Sequence, residues 1–122
     1  MTLQTLPYPF TVCKVRDAGC IDLQLPYTFA GITDAECSLV CQTAYTPAQT
    51  LAREDGWRAL RVAGSMDFGL VGVLSGITGA LAAAGVPVFA VSTFDTDYVL
   101  VKADRLAAAQ AALRGAGYAV AS

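Results

Sequence analysis

Histidine is absent from this sequence of 122 residues. The imidazole group is the general base of serine and cysteine hydrolases and a ligand of many zinc sites. Its absence excludes most ordinary hydrolase chemistry, and we predict neither a metal site nor a cofactor. Phosphate-loop and dinucleotide fingerprints of the types G-x-x-x-x-G-K and G-x-G-x-x-G are also missing. Phosphate-loop and dinucleotide enzymes are therefore not expected either.

Charged residues are scarce, at 15% of the chain against about 25% in an average soluble domain. The formal net charge is -2, and no run of Lys or Arg occurs. A nucleic-acid-binding protein needs such runs to neutralise phosphates, so nucleic acid is excluded as a partner. Hydrophobic residues reach 55%, which excludes intrinsic disorder and favours a buried interface in a homodimer.

Residues 68–94 form an uncharged segment that exceeds the roughly 20 apolar residues needed to cross a bilayer. Gly85-Val86-Pro87 interrupts this segment, and Asp67 and Asp95 flank it in place of the basic residues that anchor a membrane helix. The first ten residues lack the basic start and the unbroken apolar stretch of a secretion signal. We therefore expect no membrane span and no export signal.

The cysteines Cys13, Cys20, Cys37 and Cys41 form no C-x-x-C pair. Cys37 and Cys41 should lie on the same side of one strand, because side chains alternate between the two faces of a sheet. We interpret all four as buried, reduced thiols, which is typical of a cytoplasmic protein. A disulfide or a metal site is the alternative.

The second half of the chain follows the order β-α-β-β-α-β, which is that of the ferredoxin-like fold. Apolar residues recur at helical spacing between Leu70 and Ala84, and Gly85 follows where a left-handed helix cap is expected. The predicted strands cover residues 57–62, 86–94, 97–102 and 118–120, and the predicted helices cover residues 70–84 and 104–116.

The first half is predicted to contain only short strands, over residues 10–16, 27–33 and 37–42. Residues 43–55 are polar and contain a proline, so they are interpreted as a connection between the two halves. The fold class is α+β. We predict a ferredoxin-like domain over residues 56–122 and a degenerate, β-rich lobe over residues 1–55 packed beside it.

Residues 57–120 resemble an ACT domain, and two stretches carry the resemblance: DFGLVGVL at 67–74 and GVPVFAVSTFDTDYVLV at 85–101. The second stretch is similar to the signature of the bacterial two-lobed ACT proteins and of the CASTOR arginine sensors. FTVCK at 10–14 and ECSLVC at 36–41 resemble the first lobe of the bacterial proteins. The resemblance implies a regulatory protein that binds an amino acid or another small molecule at a lobe or subunit interface, and that is not an enzyme. We expect its output to be an altered association with a protein partner.

Carboxylates dominate the ionisable groups of the apolar second half. Between Arg61 and Lys102 the charged residues are Asp67, Asp95 and Asp97, with no basic residue nearby in sequence. Two-residue spacing aims Asp95 and Asp97 to the same side if the strand continues, where they would bind an ammonium group. The alternative is that either aspartate only forms a turn.

The start of the first helix is the complementary site for a carboxylate, because free N–H groups and the helix dipole favour an anion there. We expect Gly76 and Gly79 to serve helix packing only. The predicted ligand-binding residues are Asp67, Phe68, Gly69, Leu70, Val71, Gly72, Val73, Ser92, Thr93, Phe94, Asp95, Thr96 and Asp97. The alternative function is a structural homo-oligomerisation module with a vestigial site.

Overall fold

The computed structural model describes residues 2–63 and 72–122. Its strands are β1 (Thr2–Val15), β2 (Phe29–Ile32), β3 (Cys37–Gln42), β4 (Ala52–Val62), β5 (Phe89–Ser92), β6 (Asp97–Lys102) and β7 (Ala119–Ala121), and its helices are α1 (Val73–Ala83) and α2 (Leu106–Gly115). Short 3-10 turns cover Ala18–Cys20, Thr43–Tyr45 and Ala103–Arg105. The result is a mixed α/β structure rich in strands.

The chain forms two compact units. The N-terminal unit is Tyr8–Trp57, and the C-terminal unit combines the chain up to Pro7 with Arg58–Ser122. In the C-terminal unit the strands lie in the order β7-β1-β4-β6-β5. Strands β5 and β6 form the predicted antiparallel hairpin, and β7 runs parallel to β1 at Thr2–Gln4. The order β4-α1-β5-β6-α2-β7 is the predicted one.

Both helices of the C-terminal unit end in the same way, at a glycine with positive φ. The N–H of Gly85 (φ +73°) donates to the carbonyl of Ala82 at 3.0 Å. The N–H of Val86 donates to the carbonyl of Leu81 at 2.9 Å. Gly117 (φ +99°) repeats this arrangement after α2. This pair of bonds is the Schellman motif, which satisfies the last carbonyls of a helix. The predicted glycine caps are confirmed.

The core of the C-terminal unit lies between the two helices and the sheet. Ile77 and Leu81 of α1 and Leu113 of α2 are fully buried there, and burying one such side chain contributes about 1.5–3 kcal/mol. They pack against Leu3, Leu60, Val62, Val86, Val99, Val101 and Ala109. The predicted helix faces are therefore confirmed. Neither helix in the described part of the chain is long and apolar enough to cross a membrane.

The N-terminal unit, all of whose residues are described, contains no α-helix. Its strands lie in the order β2-β3-β1-β4, with β3 antiparallel to both β1 and β2. One face buries Cys13, Val15, Cys37, Leu39 and Cys41 together, as predicted for Cys37 and Cys41. All four cysteines are free thiols, but Cys20 is only half-buried, so the prediction of four buried thiols is wrong for Cys20.

The two units contain the same hairpin, displaced along the chain. β5 begins 60 residues after β2 (89 and 29), β6 begins 60 residues after β3 (97 and 37), and the following 3-10 turns begin at 103 and 43. The sequences FAGIT at 29–33 and FAVST at 89–93 show the same relation. The predicted strands over 37–42 and 97–102 are confirmed to the residue.

Strand β1 begins at Thr2, eight residues before the predicted start at Phe10. Pro7 and Pro9 lie within this strand, although proline cannot donate to a strand ladder. They lie between the ladder of β1 with β7, over Thr2–Gln4, and the ladder with β3, over Phe10–Val15. Neither ladder uses a hydrogen bond from residue 7 or residue 9, so both prolines are compatible with these two ladders.

Strand β4 begins at Ala52, so the prediction of a polar connection over 43–55 is wrong at its end. Residues 52–56 are exposed, and an exposed strand end shows no alternation of apolar and polar side chains. Strand β2, predicted over 27–33, covers only Phe29–Ile32. Strand β5 and helix α2 are also shorter than predicted. Strand β5 begins at Phe89, after Pro87, and α2 begins at Leu106, after a 3-10 turn.

Candidate functional site

The predicted site consists of two segments, and the first is only partly described. Residues 67–71 lie outside the described residues. Gly72 has a φ of +81°, which a glycine adopts without strain, and its carbonyl accepts from the N–H of Gly76 at 2.9 Å. Val73 packs against the core of the C-terminal unit. Backbone conformation and packing therefore account for Gly72 and Val73.

The second segment is the turn between β5 and β6. The N–H and the hydroxyl of Thr93 both donate to the carbonyl of Thr96, at 2.8 and 3.1 Å. The buried hydroxyl of Thr96 donates to the carbonyl of Val62 at 2.7 Å. These bonds hold the turn against the end of β4 and present Phe94 and Asp95 to solvent.

The prediction that Asp95 and Asp97 face the same side is wrong. Asp97 is buried and accepts a hydrogen bond of 2.5 Å from the hydroxyl of Ser92, its partner in the β5–β6 ladder. Asp95 is exposed. The two-residue spacing failed because the turn precedes β6, which begins only at Asp97. Asp97 and Ser92 therefore stabilise the hairpin, and Asp95 is the accessible carboxylate of the pair.

Asp95 lines a cleft of about 410 Å³ within the C-terminal unit. The hairpin contributes Thr93, Asp95, Thr96 and Tyr98, the end of β4 contributes Arg61, Val62 and Ala63, and β1 contributes Gln4. The Nη2 of Arg61 donates to the Oε1 of Gln4 at 2.7 Å. Asp95 has neither a hydrogen bond nor an ion pair to any residue that the structure describes. The cleft therefore offers an anchored cation and an accessible anion.

Sequence reasoning missed Arg61 and Gln4. It looked for a basic residue close to Asp95 in sequence, whereas the fold brings Arg61 to the cleft from another strand. A usable signal existed. FTVCKV at 10–15 and WRALRV at 57–62 have the same pattern, with a basic residue before a buried valine. This repeated pattern marks Lys14 and Arg61 as equivalent positions near the end of a strand.

The buried thiols of the N-terminal unit are a further set of groups with ligating or nucleophilic chemistry. Burial raises the pKa of Cys13, and the neighbouring Cys41 raises it further. Burial also raises the pKa of Cys41, against a hydrogen bond with Thr46. Raised pKa values keep thiols protonated and unreactive near neutral pH. Among residues 2–63 and 72–122, no group of three or more Cys, Asp or Glu side chains has the geometry of a metal site.

The ACT domain family model matches residues 52–115, which is more than half of the chain. The chain belongs to the ACT domain family. No curated protein is a significant match to this sequence. The matched region includes Arg61, the hairpin turn and both helices.

Solved structures agree with this assignment at the level of the fold. A protein of Agobacterium tumefaciens has a TM-score of 0.84 at 24% identity, with 98% of this chain and 90% of that protein covered. The regulatory subunit of aspartate kinase from Thermus thermophilus has a TM-score of 0.64 at 10% identity, with 94% and 96% covered. Aspartate kinase from Clostridium acetobutylicum, an allosteric enzyme, has a TM-score of 0.65 at 13% identity, with 89% and 33% covered.

Membership of the ACT domain family implies a regulatory role based on the binding of a small molecule. Neither the family nor the fold gives positive evidence of enzymatic activity.

Proposed function

We propose that this chain is a regulatory protein that binds a free amino acid through the segment 67–73 and the hairpin turn at 92–97. The observation that carries the proposal is the cleft that contains both Arg61 and Asp95. An α-amino acid carries a carboxylate and an ammonium group a few bonds apart. A small cleft that offers one cation and one anion matches both groups at once.

In this proposal Arg61 binds the ligand carboxylate, because a guanidinium presents paired N–H donors to a carboxylate. The bond from Arg61 to Gln4 fixes the orientation of the guanidinium before the ligand binds, which lowers the entropic cost of binding. Asp95 accepts from the ligand ammonium. Thr93 lines the same cleft, two residues before Asp95.

The first test is a thermal-shift screen against the twenty L-amino acids, tested singly, with arginine included because of the resemblance to the CASTOR sensors. A ligand at a hundred times its dissociation constant stabilises the folded state by about 2.7 kcal/mol. We expect at least one amino acid to raise the melting temperature. A flat response to all twenty contradicts the proposal.

The second test assigns the interaction to the cleft. Arg61→Gln removes a half-buried charge, so we expect calorimetric affinity for the stabilising amino acid to fall about tenfold. Asp95→Asn removes an exposed charge, for which about fivefold is expected. Asp104→Asn is the matched control, because Asp104 is exposed and lies outside the cleft. If all three variants bind the amino acid with the affinity of the parent chain, the ligand does not bind in this cleft.

A structural assembly module with a vestigial site is the second candidate. β5 is an edge strand of the C-terminal unit, and Phe89 and Phe94 beside it are 37% and 80% exposed. Unpaired strand edges with apolar side chains associate with further chains. We therefore propose a homodimer under both candidates. A monomer mass in light scattering at tens of micromolar protein contradicts the dimer, and a flat ligand screen with a dimer mass favours the second candidate.

Three further statements complete the proposal. The C-terminal half is a ferredoxin-like ACT unit, residues 1–55 are its degenerate partner lobe, and the boundary between 55 and 56 stays a prediction. The regulatory output is a ligand-dependent association with another protein. The location is the cytoplasm, which the free state of all four cysteines supports because cytosolic thiols stay reduced.

A further inference from the structure

The repeated hairpin gives the N-terminal unit a cleft of its own, at the place that corresponds to the first cleft. Its volume is about 360 Å³, and its lining includes the end of β1 from Lys14 onward together with the β2–β3 turn. The first cleft combines the end of β4 with the β5–β6 turn in the same way. The turns correspond through the 60-residue relation between the two hairpins, and the strand ends correspond through the repeated pattern that places Lys14 and Arg61 before a buried valine.

The two turns have the same backbone structure. The N–H of Thr33 donates to the carbonyl of Glu36 at 2.9 Å, and the N–H of Thr93 donates to that of Thr96 at 2.8 Å. The Thr33 hydroxyl also approaches the Glu36 carbonyl, at 3.4 Å. Each turn carries one exposed aspartate, Asp34 in the first and Asp95 in the second.

The cation of the N-terminal cleft is Lys14. It precedes the buried Val15 in β1, as Arg61 precedes the buried Val62 in β4. In the β1–β3 ladder Lys14 lies opposite Ser38, so it points to the face away from the thiol cluster around Cys13, because neighbouring side chains in a strand point to opposite faces.

The other charges of this cleft have partners. Arg16 and Asp17 form an ion pair at 3.2 Å, and the carboxylate of Glu36 accepts from the hydroxyl of Ser38. Lys14 and Asp34 have no side-chain hydrogen bond or ion pair to any described residue. A cation and an anion that no described residue pairs are therefore available in one small cleft.

We propose that the N-terminal cleft is a second binding site for a small zwitterion, a free amino acid, with Lys14 at its carboxylate and Asp34 at its ammonium. The chemistry is that of the proposed function, on which this inference rests. Its residues are separate from those of the first cleft, so each site is tested by itself.

The experiment is a titration of the ¹⁵N-labelled full chain with each of the twenty L-amino acids, followed by NMR. The amides of residues 33–36 report on the N-terminal cleft, and those of residues 93–96 report on the first cleft. We expect saturable shifts in both sets. Lys14→Gln should weaken binding at residues 33–36 about fivefold, since Lys14 is exposed, and should leave residues 93–96 unchanged. Lys14→Arg keeps the charge and should restore binding.

The outcomes separate the two sites. Shifts confined to residues 93–96 overturn the N-terminal site and leave the proposed function intact. Shifts confined to residues 33–36 support the N-terminal site and overturn the assignment of the first cleft. Shifts at residues 33–36 that do not change in Lys14→Gln or in Asp34→Asn overturn the inference, because the two charges would then have no role. Both variants replace exposed side chains, and unchanged spectra of the ligand-free variants verify their folding.

Discussion

The hairpin of residues 29–42 and the hairpin of residues 89–102 continue into different structures. Each runs into a 3-10 turn, Thr43–Tyr45 in the first case and Ala103–Arg105 in the second. The next residue is extended at Thr46 (φ -65°, ψ 134°) and helical at Leu106 (φ -61°, ψ -45°). Pro47 comes directly after Thr46, and a proline disfavours the helical conformation of the residue before it. An alanine-rich run comes after Leu106 and favours a helix.

The difference shows which parts of this architecture depend on helices. The N-terminal unit keeps its strand order, turn and cleft without an α-helix, and it buries a cluster of thiols and aliphatic side chains. The C-terminal unit buries a larger aliphatic core under α1 and α2. The turn is therefore specified within the hairpin, by hydrogen bonds from Thr33 or Thr93, and the helices contribute the core.

The largest expected effect tests that contribution. Leu81 of α1 is fully buried in the C-terminal core, so Leu81→Ala should lower the free energy of unfolding by about 2–5 kcal/mol. Leu23→Ala is the control in the N-terminal unit, because Leu23 is 67% exposed and should cost less than about 0.5 kcal/mol. Urea unfolding measures both. A similar loss in the two variants would refute the role assigned to the helical core.

A pH series distinguishes the units by their thiols, which all belong to the N-terminal unit. The pKa values of Cys13 and Cys41 are raised from 9.0 in the folded chain. Above pH 9 the unfolded chain releases these protons first. The contribution of these two thiols to the free energy of unfolding should therefore be constant below pH 9. It should fall as pH rises from 9 through the raised pKa values of the folded chain, by at most about 1.4 kcal/mol per thiol and pH unit.

Urea unfolding between pH 7 and pH 10 measures this decline. The variant with both Cys13→Ala and Cys41→Ala is the control, since it retains the tyrosine and lysine titrations. Its decline above pH 9 should be shallower than that of the parent chain. Parallel curves would show that the buried thiols do not govern the alkaline loss of stability.

Helix α1 contains a glycine that packing does not explain. No atom of the described residues lies within 4 Å of where a Cβ of Gly79 would be, contrary to the prediction that Gly79 serves packing. At Gly76, by contrast, a Cβ would approach the Tyr118 hydroxyl to 2.6 Å. Gly79→Ala should therefore raise the free energy of unfolding by about 1 kcal/mol through helix propensity. Gly76→Ala should gain less or lose stability. A destabilised Gly79→Ala, seen in thermal unfolding, would mean that another surface covers this face of α1.

Sequence reasoning found the elements whose patterns are local. Periodicity predicted the helix faces around Ile77 and Leu113 and the strands β3 and β6. The glycine caps were predictable because a left-handed helix cap favours glycine. It failed where pairing partners decide the outcome. The first half of β1 and the polar start of β4 are strands because neighbouring strands bind them, and no alternation marks them.

The site shows the same limit. Thr93 and Asp95 were predicted and line the cleft, whereas Arg61 and Gln4 come from β4 and β1, far from the hairpin in sequence. Only the strand order brings these residues together. Residues that form a ligand cleft across several strands have no common spacing, so a motif search cannot recover them. Comparing the repeated strands at 10–15 and 57–62 would have suggested Arg61.

The smallest expected effect is the most direct test of the repeated turn. Thr33→Val and Thr93→Val keep the shape of the side chain and remove its hydroxyl, which bonds to the turn backbone in both units. Thr93→Val should lose about 0.5–1.5 kcal/mol, the usual contribution of one hydrogen bond. Thr33→Val should lose at least as much, because the Thr33 hydroxyl also accepts from the N–H groups of Ala35 and Glu36, each at 3.1 Å. Thr50→Val is the control, because the Thr50 hydroxyl has no hydrogen bond to the described residues. Chemical unfolding measures the losses, and a loss confined to Thr93→Val would show that the two turns are alike in backbone only.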